Sequence, residues 1–175
     1  NYDFITKRVV PIYDEVTRYV PVTTRDVRTD GDGRYALTVR VPSPDGTYRV
    51  KDIRAGSNGS FPEGLIRVGE RLFFSADTGS AGRELWTSDG TAGGTTPVKE
   101  LRIGTKGSGP EGLTEMNGLL YFEATTAAGL QLFRTDGTAA GTTAIATFSA
   151  STFISAMINV SGTLFFRVGS MLWKT

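Results

Sequence analysis

Two stretches of this chain carry the same punctuation. Arg83–Thr95 reads RELWTSDGTAGGT and Leu130–Thr142 reads LQLFRTDGTAAGT. Each is a strand-like run that ends in an Asp-Gly turn and leaves through a Gly-rich reversal. Asp89-Gly90 and Asp136-Gly137 can take positive φ at little cost, and the Asp side chain can cap the turn.

The correspondence extends on both sides of these turns. One unit runs from Lys51 as KDIRAGSNGSFPEGLIRVGERLFFSADTGSAGRELWTSDGTAGGT, and the next from Lys99 as KELRIGTKGSGPEGLTEMNGLLYFEATTAAGLQLFRTDGTAAGT. Pro62-Glu63-Gly64-Leu65 matches Pro110-Glu111-Gly112-Leu113, and Leu72-Phe73-Phe74 matches Leu120-Tyr121-Phe122. From Leu72 to Leu120 is 48 residues. A shorter third copy places Leu164-Phe165-Phe166 and Leu172-Trp173 at the same points. A period of this size with four short strands per unit is the signature of propeller blades. In the first unit the strands are expected at about Gly64–Val68, Arg71–Ala76, Arg83–Ser88 and Thr96–Leu101. The doublet Phe73-Phe74 puts one ring on each face, as a sheet packed between two neighbours requires.

Composition agrees. The 175 residues hold 22 Gly and 7 Pro, with Val, Ile, Thr, Tyr and Phe in short runs and no long helical pattern. That is an all-β chain of one domain or two small ones. A net charge of +1 gives no global field for nucleic acid or an anionic membrane. No stretch reaches the roughly 20 apolar residues of a membrane helix. The chain has no Cys and no His, which removes thiolate chemistry, disulfides, and the commonest general base and transition-metal ligand. No signal peptide is visible, and a start at Asn1 rather than Met reads as a processed or partial product.

The region before the repeats, residues 1–46, reads as an extended N-terminal arm and a strand pair. Strand-like runs at Arg8–Tyr13 and Glu15–Val22 are interrupted by Pro11 and Pro21, which suits edge strands. Such an arm either adds to a neighbouring subunit's sheet or edges this chain's own. Two clearer strands are expected at Arg34–Val41 and Thr47–Ile53. TDGDGRYALTV followed by GTYRV resembles carboxypeptidase regulatory-like β-sandwich modules, which implies a non-catalytic spacer. Asp30-Gly31-Asp32-Gly33 has two readings: a tight hairpin turn, or a calcium site at Asp30 and Asp32. Arg28 breaks the alternating acidic pattern that a calcium loop uses, and calcium at this place is the one cofactor the sequence suggests.

RELWTSDGTAGGT, with RLFFSADTGSAG before it and VKEL after, resembles the ELWxxDGT repeat family of bacterial surface and secreted proteins. The resemblance spans Thr47–Thr175, with units at about 54–104, 105–148 and an incomplete 149–175. The second unit departs from it at Gln131-Leu132-Phe133-Arg134, and the third has Ser170-Met171-Leu172-Trp173. The resemblance implies β-propeller-like blades of four antiparallel strands and carries no catalytic residue across. The third unit stops where DGT and an outer strand would follow. Asp45–Ile53 reads as DGT plus an outer strand with no LW before it, so strand exchange between termini is expected, within a ring, in a filament, or as part of a longer array.

The sequence is compatible with three functions. The first is a non-enzymatic extracellular structural or adhesive module that self-associates through exposed strands. The second is a carbohydrate- or ligand-binding propeller, with a surface glycan or a protein as partner, or a fragment of a longer surface protein; Trp86 and Trp173 could stack on sugars, but each sits beside a Leu at the same place in its repeat, which favours core packing. The third is a hydrolase built on carboxylates such as Asp14, Glu15, Glu63, Glu84 and Glu111. Glu63 and Glu111 recur as Pro-Glu-Gly in the first two units, which marks loop chemistry rather than a single catalytic centre, so an enzyme is not expected. There is no basic stripe with interleaved aromatics for nucleic acid.

Overall fold

The computed structural model describes residues 46–149 and 152–175, and before them the backbone of four short strands. These are β1 (Tyr2–Asp3) paired with β2 (Arg8–Val9), and β3 (Val27–Thr29) paired with β4 (Tyr35–Leu37). The chain divides into two compact units, Asn1–Arg49 and Val50–Thr175. In the first, Tyr35–Leu37 of the strand expected at Arg34–Val41 forms β4, with Val27 opposite Leu37 and Thr29 opposite Tyr35, and the rest of that run lies outside the described residues. The run expected at Glu15–Val22 lies outside the described residues.

The second unit is three antiparallel sheets, with no helix among the described residues. The first sheet is β5 (Glu63–Val68), β6 (Arg71–Asp77), β7 (Arg83–Ser88) and β8 (Thr96–Lys99). The second is β9 (Glu111–Met116), β10 (Leu119–Thr126), β11 (Gly129–Thr135) and β12 (Thr143–Phe148). The third is β13 (Ile154–Val160), β14 (Thr163–Val168) and β15 (Met171–Lys174). Strand order follows chain order in each.

The opening hairpins are two-residue loops, closed by the pairs Val68–Arg71, Met116–Leu119 and Val160–Thr163. Asn117-Gly118 and Ser161-Gly162 have positive φ at both positions, as a type I′ turn needs. In the opening loop of the first sheet Gly69 is positive and Glu70 is not. Each opening strand also carries a bulge, at Gly64 (φ 66°), Gly112 (φ 63°) and Ala156 (φ 52°), where the register shifts.

Alternation along the strands sorts the apolar side chains onto two faces. The front of the first sheet presents Val68, Phe73, Leu85 and Val98 to the back of the second, which presents Leu120, Phe122, Ala124 and Phe133. Phe122 and Phe133 stack with centroids 5.4 Å apart. The front of the second sheet, with Met116, Tyr121 and Leu132, meets the back of the third, with Leu164, Phe166 and Val168. The opening strands lie side by side, β9 against β5 and against β13. At roughly 1.5–3 kcal/mol for each large apolar side chain fully buried, these two clusters dominate the stability of the unit.

The doublet rule holds. Phe73 joins the cluster shared with the second sheet, while Phe74 faces the other way with Ala76, Trp86 and Ile53. Thr47–Ile53 is not one of the strands, contrary to the sequence reading. Within it, Ile53 packs on the back of the first sheet, on Phe74 and Trp86, so its apolar side is used for face packing.

Candidate functional site

Among the described residues the two Asp-Gly-Thr turns are dense in hydrogen bonds, and they are built alike. β7 ends at Ser88 and β8 begins at Thr96. Between them Asp89 Oδ1 accepts from Thr91 N (2.9 Å) and Thr91 Oγ1 (2.8 Å). Thr91 Oγ1 accepts from Gly94 N (2.9 Å), and Thr95 Oγ1 donates to Thr91 O (2.6 Å). Thr95 has then used its proton, so Ser88 donates in the 2.7 Å Ser88–Thr95 hydroxyl bond, while Ser88 Oγ accepts from Gly90 N (3.0 Å). Every hydroxyl proton in the turn has one direction.

The second turn repeats this bond for bond. Asp136 Oδ1 accepts from Thr138 N and Oγ1, Thr138 Oγ1 from Gly141 N, and Thr142 Oγ1 donates to Thr138 O. Thr135 donates to Thr142 and accepts from Gly137 N. The hydrogen bonds account for the hydroxyl, Asp and Thr positions of the pattern the two turns share: a hydroxyl, Asp, Gly, Thr, two free positions, Gly, Thr. The second Gly is steric, because a Cβ at Gly94 or Gly141 would run into the Asp89 or Asp136 carboxylate. The first Gly is conformational, with φ 88° at Gly90 and 92° at Gly137.

Both Asp carboxyls are held below the usual range. For Asp89 the Thr91 amide is the larger cause and its hydroxyl the next; for Asp136 the Thr138 hydroxyl leads and its amide follows.

Each turn also receives a lysine from upstream. Lys51 Nζ donates to Thr95 O (2.6 Å) and Ala92 O (3.2 Å) and lies 5.8 Å from the Trp86 ring centroid. Lys99, 48 residues on, donates to Thr142 O (3.1 Å). The turn carbonyls point at a cation that the preceding segment supplies.

The carboxylates considered for catalysis are placed as follows. Glu84 is buried on β7 and accepts from Ser108 Oγ, Ser108 N (2.9 Å), Arg102 N (3.3 Å) and Leu101 N (3.4 Å). Burial pushes its carboxyl up, and the four donors oppose this only in part. It laces β7 to the connection that leads into the second sheet. Ser108 N and Gly109 N also donate to Arg83 O, and the backbone approach is so close that a Cβ on Gly107 would strike Arg83. Glu63 is exposed and pairs with Arg83 at 3.3 Å. Glu111 is exposed opposite Glu123.

Glu123 has no sequence signal, since Ser75 holds the equivalent place in the first unit. It is buried and accepts from Ile154 N (3.0 Å), with its carboxyl pushed up by burial and by Glu111. Both buried carboxylates thus hold main-chain amides of a following segment. Asp14, Glu15 and the calcium candidates Asp30 and Asp32 lie outside the described residues. Among the described residues no cluster of three acidic side chains is placed to hold a metal ion.

Of the two tryptophans, Trp86 is buried and its indole N–H has no hydrogen-bond partner. Trp173 is 44% exposed, edge-on to Phe148 at 5.6 Å. Compared with protein-family models, with curated proteins and with solved structures, the chain matches none.

Proposed function

We propose that this chain is a non-enzymatic structural or adhesive module of ELWxxDGT type, secreted or displayed on a bacterial surface, and that it self-associates. In this reading the three sheets are propeller blades and the Asp-Gly-Thr turns are their fasteners. The observation that carries it is the commitment of the turn chemistry. Each turn hydroxyl donates inside the turn, each turn Asp caps Thr, and a lysine occupies the turn carbonyls. A site that serves a ligand leaves polar groups convergent and unspent; here they are spent on holding the sheets. Sedimentation velocity over a hundredfold concentration range is the test. Oligomers that grow with concentration support the reading, and a single monomer boundary throughout overturns it.

The exposed Trp173 favours a second reading, a surface glycan stacked on the third sheet. Binding to a glycan array that is lost with Trp173→Ala and kept with Trp86→Phe would establish it.

A further inference from the structure

We propose that the front of the third sheet docks, head to tail, on the back of the first sheet of a second copy of this chain. The inference rests on the self-association reading and names the surface that performs it. The same front-to-back contact occurs twice within the molecule, and its residues recur in register.

Val68 and Met116 are buried in those two contacts; Val160, at the same place in the third sheet, is 50% exposed. Leu85 and Leu132 are 1% exposed, whereas Leu172 is 76% exposed. Ile66 packs into the first contact, whereas Ile158 is 57% exposed. The third front therefore carries the apolar set that the other two use, with nothing on it among the described residues.

The matching back lies on the first sheet. Its outer half is already covered, because Ile53 packs on Phe74 and Trp86 as Leu101 packs on the second sheet's cluster. Lys51 seats in the first turn as Lys99 seats in the second. The segment around Lys51 and Ile53 thus stands where the outer strand of a preceding sheet would stand. On the inner side Phe74 and Ala76 are already buried, and Leu65 is left 61% exposed, while its counterparts Leu113 and Met157 pack into the two clusters. The third sheet is the complement, three strands with no fourth among the described residues.

The bulge residues fit the same pairing. A Cβ built on Gly64 would meet Leu113 Cδ1 at 3.6 Å, an ordinary contact, whereas one built on Gly112 would run into Met157. The third sheet has Ala156 at this place. A methyl there suits a leucine partner, and Leu65 is the leucine left uncovered. A front that meets a different surface, the back, is a heterologous contact, so copies continue into a ring or a filament.

The test uses the full chain and two blocked variants. Leu172→Asp blocks the front and Leu65→Asp the back; both side chains are exposed, and near-ultraviolet circular dichroism checks that the cores are intact. Sedimentation velocity is expected to show oligomers beyond dimer for the parent chain, monomer for each variant alone, and dimers when the variants are mixed, because one intact front then meets one intact back. Ile158→Asp in place of Leu172→Asp gives the same pattern. A parent chain that stays monomeric overturns this inference together with the self-association reading. A parent that assembles while Leu65→Asp also assembles, or a mixture that remains monomeric, overturns head-to-tail docking and leaves self-association standing.

Discussion

Leu85 and Leu172 occupy the same place in two copies of one motif, and the structure assigns them opposite costs. Leu85 is 1% exposed within the cluster that joins the first and second sheets. Truncation to Ala removes buried methyls and leaves a cavity, a change that costs about 2–5 kcal/mol. Leu85 shares its cluster with the Phe73, Phe122 and Phe133 rings, which come from both sheets, so little collapse is expected and the cost is about 3 kcal/mol. Leu172 is 76% exposed, and Leu172→Ala should fall within about 0.5 kcal/mol of the parent. The assay is urea unfolding followed by tryptophan fluorescence, at protein concentrations below any association. With a slope of about 1.5 kcal/mol per molar urea, Leu85→Ala lowers the midpoint by about 2 M and Leu172→Ala by less than about 0.4 M. Equal midpoints for the two variants would refute the assignment of faces.

Other consequences follow from the turns and the buried carboxylates. Gly94→Ala and Gly141→Ala should lower the melting temperature, since the added methyl strikes the Asp carboxylate, whereas Gly93→Ala, which meets nothing within 4 Å, should stay within about 0.5 kcal/mol of the parent. Lys51→Met should cost about 1 kcal/mol after allowance for partial exposure, and should speed amide exchange at Gly94 and Thr95, because two carbonyl bonds to the turn are lost. Glu84 and Glu123 hold protons more tightly when folded, so stability rises as pH falls from neutrality through their raised pKa values and levels off below the unfolded value near 4.5. Asp89 and Asp136 have the opposite sign: their contribution is present above the unfolded value near 3.8 and is lost as pH falls through their lowered folded values. Thermal melts between pH 7 and pH 2 should therefore pass through a maximum, and a monotonic fall from pH 7 would contradict the raised Glu pair.

The strand pattern was legible because turns and alternation are local. β7 runs Arg83–Ser88 as read, and β6 extends one residue further than read, to Asp77. β8 ends at Lys99 instead of Leu101 for a reason that spacing could not reveal. The Leu101 and Arg102 amides turn to the Glu84 carboxylate, 17 and 18 residues back, and leave the ladder. The Asp-Gly-Thr run reads as a turn from composition alone, with Asp89 and Asp136 as turn-formers. Its hydroxyl relay does not, and the recurrence of Ser88 and Thr135, and of Thr95 and Thr142, is its one sequence signal. The lysine contacts span 44 and 43 residues, and only the recurrence of Val-Lys at Val50-Lys51 and Val98-Lys99 hinted at them. Glu123 carried no repeat signal, and its role emerges only once β10 and the start of β13 are brought together. Thr47–Ile53 has strand-like composition, but composition does not say whether such a segment pairs at an edge or packs on a face.

The chain contains no cysteine, so introduced thiols report on one contact at a time. Chains carrying Leu65→Cys are mixed with chains carrying Ala156→Cys and mildly oxidised. The account predicts a covalent species of twice the chain mass joining one of each, in excess of either homodimer, and its loss when Leu172→Asp is added to the Ala156→Cys chain. No mixed dimer, or a yield unchanged by Leu172→Asp, would contradict it.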